Sequence, residues 1–177
     1  YGGPCLVRDN VALSALASRT GGKARLAEAT HLSNQQEVDR LAGVIKNKLV
    51  QDGIVGILGL SYKPGTDVVD SSQGVLLSQA LVADGIPVVV YDPAAMDQAK
   101  LVLGESVGYT DSAKCCVTQS ELVVITTPWN EFESLKPKDF GAIGSRVLID
   151  CWRVLEGSSI SKVTDYIPLG VGPHHKE

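Results

Sequence analysis

Gly2-Gly3-Pro4-Cys5-Leu6-Val7-Arg8-Asp9 sets a thiol directly behind a glycine pair and close to a cation and a carboxylate. A glycine pair lets the backbone approach a ligand closely. The thiolate is the nucleophilic form of cysteine, and a neighbouring positive charge or a helix N-terminus favours it. Cys5 is therefore a candidate nucleophile, although the same residues also read as a small buried cysteine beside a surface Arg8–Asp9 pair. Gly59-Leu60-Ser61-Tyr62-Lys63-Pro64-Gly65-Thr66-Asp67 places a tyrosine that can pack on a sugar or base next to a lysine that can hold a phosphate as a point charge. Its other reading is a plain polar turn. Gly53, Gly56 and Gly59 recur every third residue, the wrong spacing for a dinucleotide fingerprint, and no Walker A loop is present. Asp150-Cys151-Trp152-Arg153 offers an arginine suited to bidentate phosphate recognition, or a surface ion pair beside a stacked tryptophan.

These segments need elements to hold them. Cys5 to about Thr20 reads as a helix, entered through the glycine turn and broken by Gly21-Gly22. A second helix spans about Lys23 to Val50, with Val38, Leu41, Ala42, Ile45 and Leu49 on one apolar face. Its length suits a connector between domains or a dimer interface. After Asp52 the pattern changes to short apolar strands alternating with helices. The strands are Ile54–Leu58, Val88–Tyr91, Leu122–Ile125 and Val147–Ile149, with a further short one near Val163 to Ile167. Helices are expected at Val75–Ala83, stopped by Gly85, at about Ala95–Leu103, and at Ala113–Gln119 with Ser112 as cap. Strands that are apolar throughout indicate a parallel sheet covered on both faces, hence a doubly wound α/β domain from about residue 52 to 170. In such sheets ligands bind beyond the carboxyl ends of the strands. That rule singles out the turns Ser61–Asp70, Thr126–Asn130 and Asp150–Arg153.

The 177 residues, 44% hydrophobic and 20% charged, suffice for one ordinary globular domain and an extra element. A net charge of -4 gives no electrostatic footprint for nucleic acid. No apolar run reaches the roughly 18 residues of a membrane span, so no membrane partner is expected. The chain opens on Tyr1 with no signal pattern, and Met96 is its sole methionine. It therefore reads as part of a longer protein, with any missing domain ahead of residue 1. The four cysteines make no C-x-x-C pair, so no metal site is expected, and a reducing cytoplasm is the expected compartment. Cys115-Cys116 reads as helix packing, Thr127–Phe132 as a cap and local packing unit, and His174-His175 as a tail.

Together, and in this order, the segments resemble the UDP-glucose/GDP-mannose dehydrogenase family over nearly the whole chain. The family's G-G-S-C-F-x-K-D is matched by Gly2 through Asp9, and Asn34-Gln35-Gln36 falls where its long central helix carries a similar N-x-x-Q signal. Its G-L-x-F-K-x-x-T-D is matched by Gly59 through Asp67, and its Y-D-P by Tyr91-Asp92-Pro93. Thr127–Phe132 resembles T-x-W-x-E-F, and Asp150–Leu155 a D-x-R-x-V-L ending. The resemblance implies a Rossmann-like doubly wound parallel sheet preceded by a helical segment. Residues 1–51 would be the end of a central helical dimerisation domain, and residues 52–177 the nucleotide-sugar-binding domain.

It also implies an activity. The family oxidises the C6 alcohol of a nucleotide sugar to a carboxylate with NAD, through a thiohemiacetal and a thioester on cysteine. By resemblance Cys5 is the nucleophile and Asp9 helps activate the hydrolytic water. Gly2 and Gly3 line the sugar, and Tyr62, Lys63 and Arg153 hold the sugar nucleotide and its phosphates. NAD is expected to be bound mainly by a domain outside this chain, and a homodimer is expected through the helix at 23–50. The isolated chain should bind the nucleotide sugar without turning it over. UDP-glucose, UDP-N-acetylhexosamines and GDP-mannose all fit. There are departures: Arg8 replaces the family lysine and does not readily shuttle a proton, Pro4 replaces a small residue, and Tyr62 replaces phenylalanine. Asp70 stands where the family has an arginine in its cofactor region, so no cofactor contact is carried over. Arg8 and Asp70 favour the competing reading, a sugar-nucleotide-binding module without dehydrogenase activity.

Overall fold

The computed structural model describes residues 1–142 and 144–172; His174 and His175 lie outside them. Two helices open the chain, α1 (Leu6–Arg19) and α2 (Arg25–Lys48), packed on each other as a hairpin. The α/β part follows as β1 (Val55–Leu58), α3 (Gln73–Ala83), β2 (Val88–Tyr91), α4 (Met96–Leu103) and β3 (Gly108–Tyr109). It continues with α5 (Ala113–Thr118), β4 (Leu122–Ile125), β5 (Val147–Asp150) and β6 (Asp165–Pro168), with short 3-10 turns at Asn130–Ser134 and Pro137–Phe140. The sheet is parallel throughout, in the order β3-β2-β1-β4-β5-β6. The expected doubly wound sheet is therefore present, and its strand order reverses between β1 and β4.

The apolar strands are covered on both sides, as their composition requires. Val55, Ile57, Val88, Val90, Leu122, Val124 and Ile149 face one core, shared with α2, α3 and α4. The alternate residues Leu58, Val89, Val123, Ile125 and Leu148 face a second core, closed by α5 and by Phe132 and Phe140 of the 3-10 turns. The Ser112 hydroxyl accepts a hydrogen bond from Cys115 N and caps α5, and Gly85 takes the left-handed conformation that stops α3. Only the latter part of the α2 stripe is buried deeply, through Leu41, Ala42 and Ile45. α1 buries no residue fully and exposes Leu6, Val11, Leu13 and Leu16.

Three details differ from expectation. β3 forms where no strand was expected, because two residues pair through backbone alone without an apolar run. β6 starts at Asp165 rather than near Val163. Of the adjacent cysteines only Cys116 packs, while Cys115 is exposed. Burial pushes the Cys116 thiol up to about 12. A thiol whose pKa is raised by folding stabilises the fold fully below its unfolded value, near 9, and loses that contribution as pH climbs through 12. The differential is on the order of 4 kcal/mol. The stability of the protein should therefore fall steeply between about pH 9 and 12, and in Cys116→Val the fall should be visibly shallower. Denaturant midpoints measured along that pH range for both proteins check this; parallel curves would contradict it.

Candidate active site at the carboxyl edge of the sheet

The glycine segment lies on the loop that follows β1. Gly3 N donates to Asp70 O at 2.8 Å, and Gly3 has a φ of +89°. A Cβ on Gly3 would sit 2.7 Å from two atoms of the Tyr62 ring, and one on Gly2 would sit 2.5 Å from Ser71 O. Only a pair of glycines lets this backbone press against both Ser71 and the Tyr62 ring. The preceding residue is clamped from two helices: Tyr1 O accepts from Asn34 Nδ2 of α2 at 2.9 Å and from Gln73 Nε2 of α3 at 3.1 Å. Asn34, picked out by its motif, thus works as a backbone clamp.

Cys5 follows at the N-cap of α1 and is exposed, so the buried-cysteine alternative does not hold. The Cys5 side chain makes no capping hydrogen bond. Asp9 lies one turn on, and Arg8 binds it through both Nε and a terminal guanidinium nitrogen at 2.9 Å. Both side chains are exposed.

Lys63 Nζ stands 5.5 Å from the centroid of the Tyr62 ring, a cation–π distance. The structure therefore brings Gly2, Gly3, Tyr62 and Lys63 into one group, with Cys5 and Asp9 continuing from it along the chain. Arg153 is not in that group. It is exposed on the turn after β5, in the left-handed region with φ +59°, and its Nε is 3.9 Å from Glu156. Asp150 builds this turn from inside, accepting from Trp152 N at 3.2 Å, Leu155 N at 2.9 Å and Tyr166 Oη at 3.0 Å. Trp152 Nε1 donates to Thr126 O at 2.9 Å, leaving the ring largely exposed.

A cavity of about 340 Å³ opens between α2, the start of α3 and the ends of β4 and β5. Its walls include Arg40, Gln73, Thr126, Cys151 and Trp152. Gln73 ties it to the glycine segment and Trp152 to Arg153. Arg40 is bound to Glu37, which holds that carboxylate below its ordinary range. Burial, reinforced by Asp150, pushes the Cys151 thiol up to about 12, so it stays protonated and offers no second nucleophile. Arg40 and Gln73 carried no signal in the sequence beyond lying off an apolar stripe and at a helix start. Among the described residues no group of three His, Cys, Asp or Glu side chains could hold a metal ion, and no helix is long and apolar enough to cross a membrane.

The profile described as the UDP-glucose/GDP-mannose dehydrogenase family, UDP binding domain, matches residues 56–157. The chain is similar to the UDP-glucose 6-dehydrogenase AglM of Haloferax volcanii, at 33% identity over 156 residues, 88% of this chain and 36% of that protein. It is also similar to the UDP-glucose 6-dehydrogenase of Rickettsia conorii, at 30% identity over 92% of this chain and 39% of that one. A solved UDP-glucose dehydrogenase from Pyrobaculum islandicum superposes with a TM-score of 0.74 at 28% identity, covering 95% of this chain and 37% of that one. The GDP-mannose dehydrogenase of Pseudomonas aeruginosa shares the fold, with a TM-score of 0.71 at 18% identity. The chain thus spans somewhat more than a third of the length of these relatives.

Proposed function

The chain belongs to the UDP-glucose/GDP-mannose dehydrogenase family, and from that premise we propose that it is the catalytic-cysteine and nucleotide-sugar-binding part of an NAD-dependent nucleotide-sugar 6-dehydrogenase acting on UDP-glucose or a similar UDP-sugar. The observation that carries the reading is the seating of Gly3 on the Tyr62 ring and of Gly2 against Ser71, with an exposed thiol two residues beyond Gly3 and Lys63 beside the ring. Residues 1–51 supply the nucleophile and the helical dimerisation segment, and residues 52–177 hold the nucleotide. The Cys5 sulfur adds to the aldehyde carbon at C6 as a thiohemiacetal; its oxidation to the thioester would need hydride transfer to NAD held elsewhere in the full-length enzyme, and water then cleaves the thioester, releasing the acid and the free thiol. Asp9 orients that water. Gly2 and Gly3 form the floor under the sugar, while Lys63 and Arg153 hold the diphosphate.

NAD does not fit the crevice of this sheet. The β2-end carboxylate, Asp92, already accepts six internal hydrogen bonds. The turn after β1 is covered by the glycine segment. In this reading the oxidant is held elsewhere in the full-length enzyme. A homodimer through the helix at 23–50 accounts for the exposed Leu26 and Leu32 of α2. The reading places the enzyme in the reducing cytoplasm, in keeping with its free cysteines. A second reading, a binding module without turnover, is favoured by the Arg8–Asp9 pair, which occupies the carboxylate meant for water.

NADH formation by the full-length protein with UDP-glucose separates the two. In that protein Lys63→Ala and Arg153→Ala should each raise the KM for UDP-glucose about ten- to a hundredfold, the range of a lost charge-assisted hydrogen bond. The KM for NAD should not move. Failure to bind UDP or to oxidise any nucleotide sugar would remove the proposal.

A further inference from the structure

We infer that Asp92 is a positioning residue for the substrate site, holding the β1 turn in the shape that places the Tyr62 ring beneath Gly3. This rests on the functional reading above. Asp92 is only 1% exposed, yet no lysine or arginine pairs with it among the described residues. Its Oδ2 accepts from Leu60 N at 2.7 Å, from Ser61 N and Ser61 Oγ at 2.9 Å, and from Trp129 Nε1 at 3.1 Å. Its Oδ1 accepts from Ala94 N and Ala95 N at 2.8 Å. A buried carboxylate persists without a cation only when donors surround it in this way. In a doubly wound sheet an acidic residue in this region commonly turns outward to ribose hydroxyls. Here every donor comes from the protein, and most belong to the β1 turn or brace it.

The consequence runs along a short path. Ser61, itself 1% exposed, is held at N and Oγ by Asp92. Its carbonyl accepts from Thr127 Oγ1 at 2.6 Å, and Trp129 Nε1 reaches its hydroxyl at 3.1 Å. The next residue is Tyr62, whose N closes the loop onto Val68 O at 3.0 Å and whose ring carries Gly3. Cys5 lies two residues further. Ser61 therefore transmits the position of Asp92 to the ring, and the ring transmits it to the backbone that presents the nucleophile. The Tyr91-Asp92-Pro93 and Thr127–Phe132 segments, which touch no substrate in this reading, meet at Asp92 through Trp129, and again where Tyr91 Oη donates to Glu131 Oε1 at 2.8 Å.

Asp92→Asn in the full-length enzyme tests it. The amide keeps one acceptor oxygen and turns an NH2 toward either the Oδ2 or the Oδ1 donors, so the β1 turn loosens. The expected result is a ten- to hundredfold rise in the KM and Kd for UDP-glucose and an unchanged KM for NAD. UDP-glucose should also lose its ability to slow the alkylation of Cys5. Thr127→Val and Trp129→Phe, which each remove bonds to the same cluster, should raise the KM in the same direction by three- to tenfold. A purely structural role would lower the melting temperature and the fraction of active enzyme while leaving the KM for UDP-glucose unchanged, and that result overturns the inference. Should Asp92→Asn fail to fold, the two milder variants decide by the same criterion. Absence of UDP-glucose binding by the unsubstituted protein would overturn the functional reading and this inference with it, whereas binding that all three variants leave unaltered overturns the inference alone.

Discussion

Cys5→Ala should cut the turnover of UDP-glucose by the full-length enzyme on the order of 10³-fold or more while leaving the KM for the sugar nucleotide nearly unchanged. Cys5 is exposed, so replacing it disturbs no core, and an exposed substitution ordinarily changes stability by less than about 0.5 kcal/mol. The seating of Gly2 and Gly3 uses backbone hydrogen bonds and ring contact, none of which involves the sulfur. Binding should therefore survive, and only the covalent step is lost. Cys5→Ser should be nearly as inactive, because a hydroxyl at this helix end does not ionise as a thiol does. Cys115→Ala is the control: Cys115 is also exposed but lies on α5, and its variant should keep full activity. NADH formation in single-turnover and steady-state assays measures all three. Unchanged turnover in Cys5→Ala would end the catalytic reading and leave the binding module in its place.

The parts of the fold that were legible are those whose physics is local. β1, β2, β4 and β5 are apolar on both faces because both faces are covered, and each was visible as a short run of Val, Ile and Leu. β3 has no such run; Gly108 and Tyr109 join the sheet through their pairing with Val89 and Val90, which is information held by the partner strand. β6 carries Asp165 at its start and Pro168 at its end, and its edge position blurs the apolar pattern. The site divides in the same way. Cys5, Tyr62, Lys63 and Arg153 were recognisable as residue types at the ends of elements. That Gly3 needs no side chain because Tyr62 lies against it is a tertiary fact, set by residues far apart in sequence. So are the clamping of Tyr1 by Asn34 and Gln73, the cavity, and the convergence of donors on Asp92. Each depends on how α2 and α3 pack over the carboxyl edge of the sheet, and periodicity alone says only that they pack.

Removing the buried carboxylate at the end of β5 should cost the fold a large part of its stability. Asp150 is fully buried, and Trp152 N, Leu155 N and Tyr166 Oη converge on it. Asp150→Ala relieves one unfavourable term, a buried charge without a cation, but strands three donors. An orphaned buried donor costs about 1–3 kcal/mol, and water entering the vacated space would satisfy some of them, so a net loss of about 3–5 kcal/mol is expected. For a domain of this size that corresponds to a fall of roughly 10 °C in melting temperature. Asp150→Asn keeps an acceptor and should lose less than half as much. The turn has a second role, since Arg153 sits at φ +59°, a conformation that costs an ordinary residue about 1–2 kcal/mol and persists only while the surrounding bonds hold it. Released from Asp150, the turn relaxes and Arg153 leaves its place, so the KM for UDP-glucose should rise in Asp150→Ala as it does in Arg153→Ala. The two effects act through one contact and should not add: the double variant should show the KM of Arg153→Ala alone. Thermal melts and a double-mutant cycle on KM measure both parts. A melting temperature within 2 °C of the unsubstituted protein would mean that Asp150 does not hold the turn, and KM effects that multiply would mean that it does not set Arg153.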